Sequence, residues 1–148
     1  QPSSLTLGDY LEPMLYVADA ETSAIRSIRK RTEQLETLGG TGLFEFGDRD
    51  GKGRDARLQH PLGIEFDEAR HALWIADTYN HRIKKLSLET LSVKTLPLPT
   101  KVREPGGLSL SGDSLWIANT NAHEIVRVDL NTGEGEVVEL YLVETENL

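Results

Sequence analysis

The sequence predicts an all-β protein, because one segment occurs three times and its third copy fits only strands. Each copy places an aromatic residue, a β-branched residue and alanine before Asp or Asn, and the three copies align without a gap. They are LYVADAETSAIRSI at 15–28, LWIADTYNHRIKKL at 73–86 and LWIANTNAHEIVRV at 115–128. A proline precedes each copy, at Pro2, Pro61 and Pro105. Repeated segments of this kind fold alike, so one copy can be interpreted from another.

The residues that follow the shared segment decide between helix and strand. Residues 21–38, taken alone, fit an amphipathic helix with their aliphatic side chains on one stripe. The counterpart at 122–140 has a β-branched run, the turn Asn-Thr-Gly-Glu-Gly and two valines, which is typical of strand, turn and strand. We therefore predict strands in all copies and no helix longer than one or two turns.

Each unit then contains four short strands. In the second copy we predict them at Gly63 to Phe66, Leu73 to Ala76, Arg82 to Leu86 and Val93 to Leu96. The second of these strands is apolar at every position, so both of its faces must be buried. Four-stranded antiparallel sheets stacked around an axis, as in a β-propeller, bury both faces in this way.

Residues 1–148 are accordingly predicted to form a β-propeller fragment of three blades. The units are 1–40, 60–98 and 104–140, and a long inter-blade loop spans 41–59. The residues expected to be buried between sheets are Trp74, Trp116, Ile75, Ile117, Ala76, Ala118, Ile83 and Ile125. The chain begins with Gln1 and has no signal-like segment, and we interpret it as a piece of a longer protein.

Two stretches resemble a known family. The segment DTYNHRI at 77–83, with PLGI at 61–64 before it, resembles the NHL-repeat β-propeller, and this resemblance covers nearly the whole chain. Residues 44–61 resemble the inter-blade loop of NHL proteins in which the propeller follows a thioredoxin-like domain. The first and third copies differ from the repeat at Ser23 and Ala122, which interrupt its Asn-His pair. The resemblance implies a propeller of four-stranded antiparallel blades.

The amino-acid composition disfavours or excludes several classes of partner and site. A net charge of -8 disfavours nucleic acid, because nucleic-acid binding relies on Lys and Arg to neutralise phosphates. The absence of cysteine excludes disulfides and thiolate metal sites. With 38% apolar residues the sequence is too polar for a membrane protein. The compartment stays open, with the cytoplasm slightly favoured.

The acidic loop at 48–55 suggests a calcium site, but its spacing is wrong. Lys52 stands at the fifth position and Gln59 at the twelfth, where calcium ligands are required. We expect its aspartates to cap backbone groups or to pair with neighbouring arginines. His81 and His123 occupy one repeat position and are expected to form hydrogen bonds between blades rather than to bind metal.

The repeated polar residue after the second strand is interpreted as a turn cap in every copy. It is Asp19, Asp77 or Asn119, and the Asp77 carboxylate is expected to accept hydrogen bonds from the backbone N–H groups of residues 78–80. A residue present in every repeat belongs to the architecture, whereas a catalytic group is usually unique. We therefore expect no catalytic residue, metal or cofactor.

The runs at 26–31 and 82–85 are basic and keep RNA binding open as a function class. The third copy is acidic in the corresponding region, so no continuous basic stripe is expected. The more economical interpretation is that both runs are solvated outer strands.

The long loop marks the candidate binding surface, because structureless loops of this length are usually functional or disordered. If it lies on the same face as the turn after Asp77, the candidate residues for a ligand or partner are Phe44, Phe46, Arg49, Arg54, Arg57, Tyr79, Asn80 and Asn121. The first hypothesis is a non-catalytic protein-binding or scaffold module of a larger protein with a thioredoxin-like domain. The alternatives are a propeller enzyme, such as a metal-assisted hydrolase or lyase, and an RNA-binding propeller.

Three blades cannot close a ring, since propellers have about four to eight. The open sheets would expose apolar faces that soluble proteins rarely leave uncovered. We expect either the remainder of the parent chain to supply the missing blades, or a second copy of this chain to complete a six-bladed ring.

Overall fold

The computed structural model describes residues 1–143, and its regular structure is almost entirely strand. The first blade comprises β1 (Pro2–Gly8), β2 (Met14–Asp19), β3 (Ala24–Arg29) and β4 (Leu35–Gly39). A short β5 (Gly51–Lys52) precedes the second blade, which comprises β6 (Gly63–Asp67), β7 (Ala72–Asp77), β8 (Arg82–Ser87) and β9 (Ser92–Thr95). The third comprises β10 (Leu108–Ser111), β11 (Ser114–Asn119), β12 (Glu124–Asp129) and β13 (Gly135–Val137). The prediction of an all-β chain of four-stranded blades is confirmed.

Every blade is an antiparallel meander, and the repeat fixes its register. Strands predicted for the second copy begin and end within one residue of β6 to β9. Residues 21–38 form β3 and β4 instead of the helix that their periodicity allows. Within residues 1–143 the helices are 3-10 turns of three residues, at Gly53–Asp55, Thr78–Asn80 and Thr120–Ala122. That part of the chain contains no helix long and apolar enough to cross a membrane.

The core lies between the sheets, and β7 shows why its sequence is apolar throughout. Successive side chains of a strand point to opposite faces. Leu73 and Ile75 therefore pack against the first blade, whereas Trp74 and Ala76 pack against the third. All four are buried, as the sequence predicted, so β7 is sandwiched between two neighbouring blades.

The two interfaces use equivalent positions of the repeat. From the first blade, Tyr16, Ala18 and Ile25 pack against the second. From the second blade, their counterparts Trp74, Ala76 and Ile83 pack against the third. We call this aromatic-alanine-isoleucine side the forward face of a blade and the opposite side its back face.

Three of the residues expected in the core are instead half-buried. Trp116, Ala118 and Ile125 form the forward face of the third blade, which is turned away from the second. Their partners on the strand, Leu115 and Ile117, point the other way and are fully buried. The alternation was predicted correctly, and the error was to assume that another sheet covers the forward face.

Candidate binding face

The inter-blade loop, residues 41–59, is ordered and packs along the second blade. Its β5 pairs antiparallel with β9, so the second blade has a fifth strand. Gly53, which follows β5, has a left-handed φ of +53° that glycine adopts without steric cost. Ala56 and Leu58 are fully buried in the core between the first two blades. The second half of the loop is therefore held by the same burial that holds the sheets.

Both halves of the loop are fastened to the turn after β7 by polar contacts. The side-chain amide of Asn80 donates from Nδ2 to the carbonyl oxygen of Gly47 at 2.7 Å. The same nitrogen donates to Oδ2 of Asp77 at 2.7 Å. The backbone N–H of Tyr79 donates to the carbonyl oxygen of Gln59 at 3.1 Å. The loop and the turn therefore form one surface, which we call the binding face.

Asp77 fastens the incoming chain rather than capping its own turn. Its Oδ1 accepts a hydrogen bond of 2.7 Å from the backbone N–H of Gln59, which leads into the second blade. Asn119 does the same in the third blade, where Oδ1 accepts from the N–H of Arg103 at 2.6 Å. The expectation that Asp77 accepts from the backbone of residues 78–80 is wrong, because the N–H that meets its carboxylate belongs to the adjacent segment.

Asp77 is fully buried, and its ionisation reflects that position. Burial raises the pKa of Asp77 to about 6. The hydrogen bonds from Gln59 and Asn80 and the charge of Lys84 act in the opposite direction without cancelling the effect of burial. In the first blade Asp19 accepts a hydrogen bond of 2.9 Å from Nε of Arg26.

Lys84 lies at the centre of the polar contacts beneath the loop. Its side chain is fully buried, and Nζ lies 2.6 Å from Oδ1 of Asp48, 3.2 Å from Oδ1 of Asp50 and 3.8 Å from Oδ2 of Asp77. The interpretation of residues 82–85 as a solvated run is therefore wrong for Lys84. The loop aspartates pair with this lysine of β8, and Asp48 also lies 3.4 Å from Nε of Arg82.

Asp50 ties the loop to β9 of the second blade. Its carboxylate accepts hydrogen bonds from the backbone N–H and from the hydroxyl of Thr95, at 2.9 and 2.8 Å. Partial burial alone would raise the pKa of Asp50, but the bonds from Thr95 and Lys84 outweigh it and lower the pKa. Asp50 therefore stays ionised at neutral pH and pairs with the lysine.

The candidate arginines support the loop from within. Arg49 donates from Nε to the carbonyl oxygen of Asp55 at 2.8 Å. Arg57 donates from Nη1 to the carbonyl oxygens of Arg54 and Ala56, at 2.6 and 3.0 Å. The bond from Arg49 joins the two halves of the loop, and the bonds from Arg57 hold the backbone of its second half.

The aromatic candidates face solvent. Phe44 is 88% exposed, Phe46 56% and Tyr79 51%. The ring of Tyr79 stacks on His60, with 4.4 Å between ring centroids. A cavity of about 210 Å³ opens between the first two blades and is lined by Phe46, Tyr79, Leu43, His60, Gln59, Ser23, Ala20 and Glu21. Asn121, on the equivalent turn of the third blade, is exposed and lies outside this cavity.

One position of the repeat joins neighbouring blades on this face. Nδ1 of His81 accepts a hydrogen bond of 3.0 Å from the backbone N–H of Glu104. Ser23 holds the same position in the first blade, and its Oγ accepts from the N–H of His60 at 3.2 Å. Among residues 1–143, the His, Asp and Glu side chains form no group of three that could hold a metal ion.

Sequence reasoning missed Lys84, Asp48 and His60 as members of this face. For Lys84 the signal was present in the repeat, because its counterpart in the third copy is Val126, a residue of the back-face core. A position that is apolar in one copy and points to the neighbouring sheet is expected to be buried in any copy that has a sheet on that side. Two of the partners of this lysine, Asp48 and Asp50, come from the loop, and the repeat carries no information about them.

The comparisons with known proteins agree with this architecture. The human NHL repeat-containing protein 2 is 36% identical over 166 aligned residues, which include 97% of this chain. The chain belongs to the NHL-repeat family. The chloroplastic protein SUPPRESSOR OF QUENCHING 1 of Arabidopsis thaliana is 37% identical over 162 aligned residues, or 96% of the chain. This NHL-repeat chain spans only 23% and 15% of the lengths of these two relatives.

Solved structures share the NHL-repeat chain's fold at lower identity. A Bacteroides thetaiotaomicron protein of unknown function matches 77% of the chain and 32% of its own, with a TM-score of 0.66 and 22% identity. A virginiamycin B lyase from Staphylococcus aureus matches 93% of the chain and 42% of its own, with a TM-score of 0.63 and 15% identity. At these identities the likeness concerns the fold alone. No family model matches the sequence.

Proposed function

We propose that the chain is a non-catalytic protein-binding module, part of the propeller of a larger protein with a thioredoxin-like domain, and that its binding face docks a protein partner. The observation that carries this proposal is the exposure of Phe44 and Phe46 on an ordered loop and of Tyr79 on the adjoining turn. Large apolar side chains grouped on a soluble surface mark interaction sites more often than isolated ones do.

The chemistry of the face suits a protein better than a small polar ligand. Aromatic side chains dominate the energetics of protein interfaces, because they bury much apolar area with few rotatable bonds. The cavity beside Phe46 and Tyr79 is wide enough for one apolar side chain of a partner. Because the loop is already folded against the second blade, its ordering adds little to the entropic cost of binding.

The basic residues are largely engaged within the protein. Lys84 is buried against Asp48, Asp50 and Asp77, and Arg26 is bound to Asp19. Lys85 lies over the ring of Trp74, 5.7 Å from its centroid. A phosphate backbone would therefore meet fewer free cations than the sequence runs suggest, which favours a protein partner over RNA.

Quantitative affinity capture tests the proposal. The parent protein, its Phe44→Ala/Phe46→Ala/Tyr79→Ala variant and a Leu11→Ala control would be immobilised, and the retained proteins would be compared by mass spectrometry with and without nuclease. Leu11 is 86% exposed and lies in the β1–β2 turn, at the other end of β2 from the binding face, so its replacement removes apolar surface elsewhere.

We expect at least one protein to be retained by the parent and by the Leu11 control, and to be reduced about tenfold or more by the triple variant, as the loss of interface aromatics implies. Equal retention by all three would contradict the proposal. Loss of the retained material on nuclease treatment would support RNA binding, and a stoichiometric, tightly held metal would support the enzyme alternative.

A further inference from the structure

We propose that Lys84 is a positioning residue that latches the first half of the loop, residues 41–50, and so maintains the binding face without touching the partner. The latch is a property of the free protein. Its consequence for partner binding rests on the proposed function.

The two halves of the loop are held by different forces. In the second half, Ala56 and Leu58 are fully buried, and this burial anchors the backbone. In residues 41–50, every side chain is at least partly exposed, and Phe44 and Phe46 lie in this half. Hydrophobic burial therefore contributes little to the position of the aromatic residues, which depends on polar contacts with the second blade and on hydrogen bonds to the second half of the loop.

These polar contacts converge on two side chains of the second blade. Lys84 binds the carboxylates of Asp48 and Asp50. Asn80 binds the carbonyl oxygen of Gly47, and the same amide nitrogen donates to Asp77, which lies 3.8 Å from Lys84. The loop thus rests on one connected network, and Lys84 is its only cation with a fully buried side chain among the described residues.

The lysine is more deeply buried than the loop aspartates that it binds, and this difference favours the closed position of the loop. The side chain of Lys84 is fully buried, whereas Asp48 and Asp50 are 39% and 46% exposed. If the loop lifts, the aspartates gain water, but the lysine keeps only the buried Asp77 as a partner. A buried ammonium group that loses two of its three carboxylate partners is destabilised, so Lys84 favours the closed loop.

The fold itself does not require a lysine at this position. In the third blade the equivalent residue is Val126, which is fully buried between the sheets. Valine is therefore compatible with the strand and with the interface at this point of the repeat. Lys84→Val removes the latch while leaving a side chain that the same architecture accommodates.

Amide hydrogen exchange measured by NMR tests the latch without a partner. Wild type would be compared with Lys84→Val and with the control Lys85→Val, which changes the neighbouring residue on the opposite face of β8. The reporters in the loop are the N–H groups of Gly47 and Arg49, which donate to Leu58 and Arg57. The reporter in the blade is the N–H of Leu96, which donates to Ile83.

We expect Lys84→Val to lower the protection of Gly47 and Arg49 roughly a hundredfold and that of Leu96 by no more than about fivefold, because the loop opens locally. Lys85→Val should leave all three amides unchanged. Unchanged loop protection in Lys84→Val would overturn the latch, and an equal loss at Gly47 and Leu96 would show a purely structural role.

A second variant keeps the test decisive if Lys84→Val does not fold. Asp48→Asn/Asp50→Asn removes the loop side of the latch at partly exposed positions, and we expect the same selective loss of loop protection. Unchanged protection in this variant would also overturn the proposal. If the latch variants lose loop protection but the triple aromatic variant binds partners like wild type, the latch stands and the proposed function fails.

Discussion

Nζ of Lys84 lies 3.8 Å from Oδ2 of Asp77, and the residues at these two positions also match in charge in the other blades. In the first blade Arg26 binds Asp19 at 2.9 Å. In the third, Asn119 is uncharged and the position of the cation is held by Val126. Each blade therefore has either a cation with a carboxylate or two neutral residues, so the buried charge is balanced in every copy of the repeat.

This pairing predicts the outcome of a double-mutant cycle. Lys84→Val should lower the free energy of global unfolding by about 1 kcal/mol, because it leaves the buried Asp77 without its cation while the blades stay folded. Lys84→Val/Asp77→Asn recreates the neutral pair of the third blade, and it should be more stable than the sum of the single changes by about 1 kcal/mol or more. Denaturant unfolding gives all four free energies. Additive effects would mean that the pair is not coupled.

The raised pKa of Asp77 predicts a pH dependence of stability. The folded value of about 6 exceeds the reference value of 3.8, so the folded protein binds the proton more tightly. This contribution is present at low pH and is lost as pH rises from about 4 to about 6, a change on the order of 3 kcal/mol for a shift of this size. Asp77→Asn should remove it.

Unfolding free energies at pH 4.5 and pH 7, measured for wild type and Asp77→Asn, test this directly, and the difference between the two proteins cancels the contributions of the other titrating groups. Identical pH dependence in the two proteins would show that Asp77 does not titrate in this range.

Ile83 and Ile125 occupy the same position of the repeat, but only Ile83 is covered by a neighbouring blade. The two residues can therefore be compared directly. Ile83 is fully buried between the second and third blades, whereas Ile125 is half-buried. Ile83→Ala should cost about 2 to 5 kcal/mol of unfolding free energy, the range for large-to-small changes in a core. Ile125→Ala should cost clearly less in monomeric protein. Equal costs would mean that the two forward faces are covered alike.

The sequence predicted the strands well because the repeat provides three copies of each strand, which can be interpreted together. The helical periodicity of residues 21–38 is local, and the strand pattern of 122–140 correctly overruled it. Alternation along β11 also placed Trp116 on the right face, but whether that face is covered depends on a neighbouring sheet. Composition and spacing do not indicate whether such a sheet is present.

The polar contacts of the binding face were harder to predict. Lys84 and Asp48 are 36 residues apart, and their contact depends on the path of the loop across the blade. Charge alone suggested that Lys84 is solvated, whereas its repeat counterpart Val126 indicated burial. The hydrogen bond from Gln59 to Asp77 is likewise tertiary, so local turn chemistry gave the wrong partner.

The uncovered end faces have complementary composition, and we propose that two copies of chain 1–148 associate through them. The forward face of the third blade carries Trp116, Ala118 and Ile125, the counterparts of residues that pack against the third blade from the second. The back face of the first blade has an apolar cavity of about 280 Å³, lined by Leu5, Leu15, Val17, Ile28, Leu35, Pro2, Asp19 and Arg26. Two such contacts would complete a six-bladed ring, whereas blades of the parent chain could cover the same faces.

Light scattering of chain 1–148 at micromolar concentration should therefore report a dimer. Leu5 is 59% exposed on the back face, and Leu5→Asp should yield a monomer. Leu11→Asp, which changes an exposed leucine outside that face, should remain dimeric. A folded wild-type monomer would show that three blades are stable alone and would contradict the association.

Site-specific photocrosslinking tests the central claim most directly, namely that the aromatic binding face contacts a protein partner. A benzoylphenylalanine would replace Phe44 in the parent protein, and in a control it would replace Leu11, which has nearly the same exposure, 86% against 88%. The account predicts a discrete crosslinked protein from position 44 that is absent from position 11, and that disappears when Phe46 and Tyr79 are changed to alanine. Crosslinks of equal yield from both positions, or none from position 44 while the protein is bound to its captured partner, would contradict it.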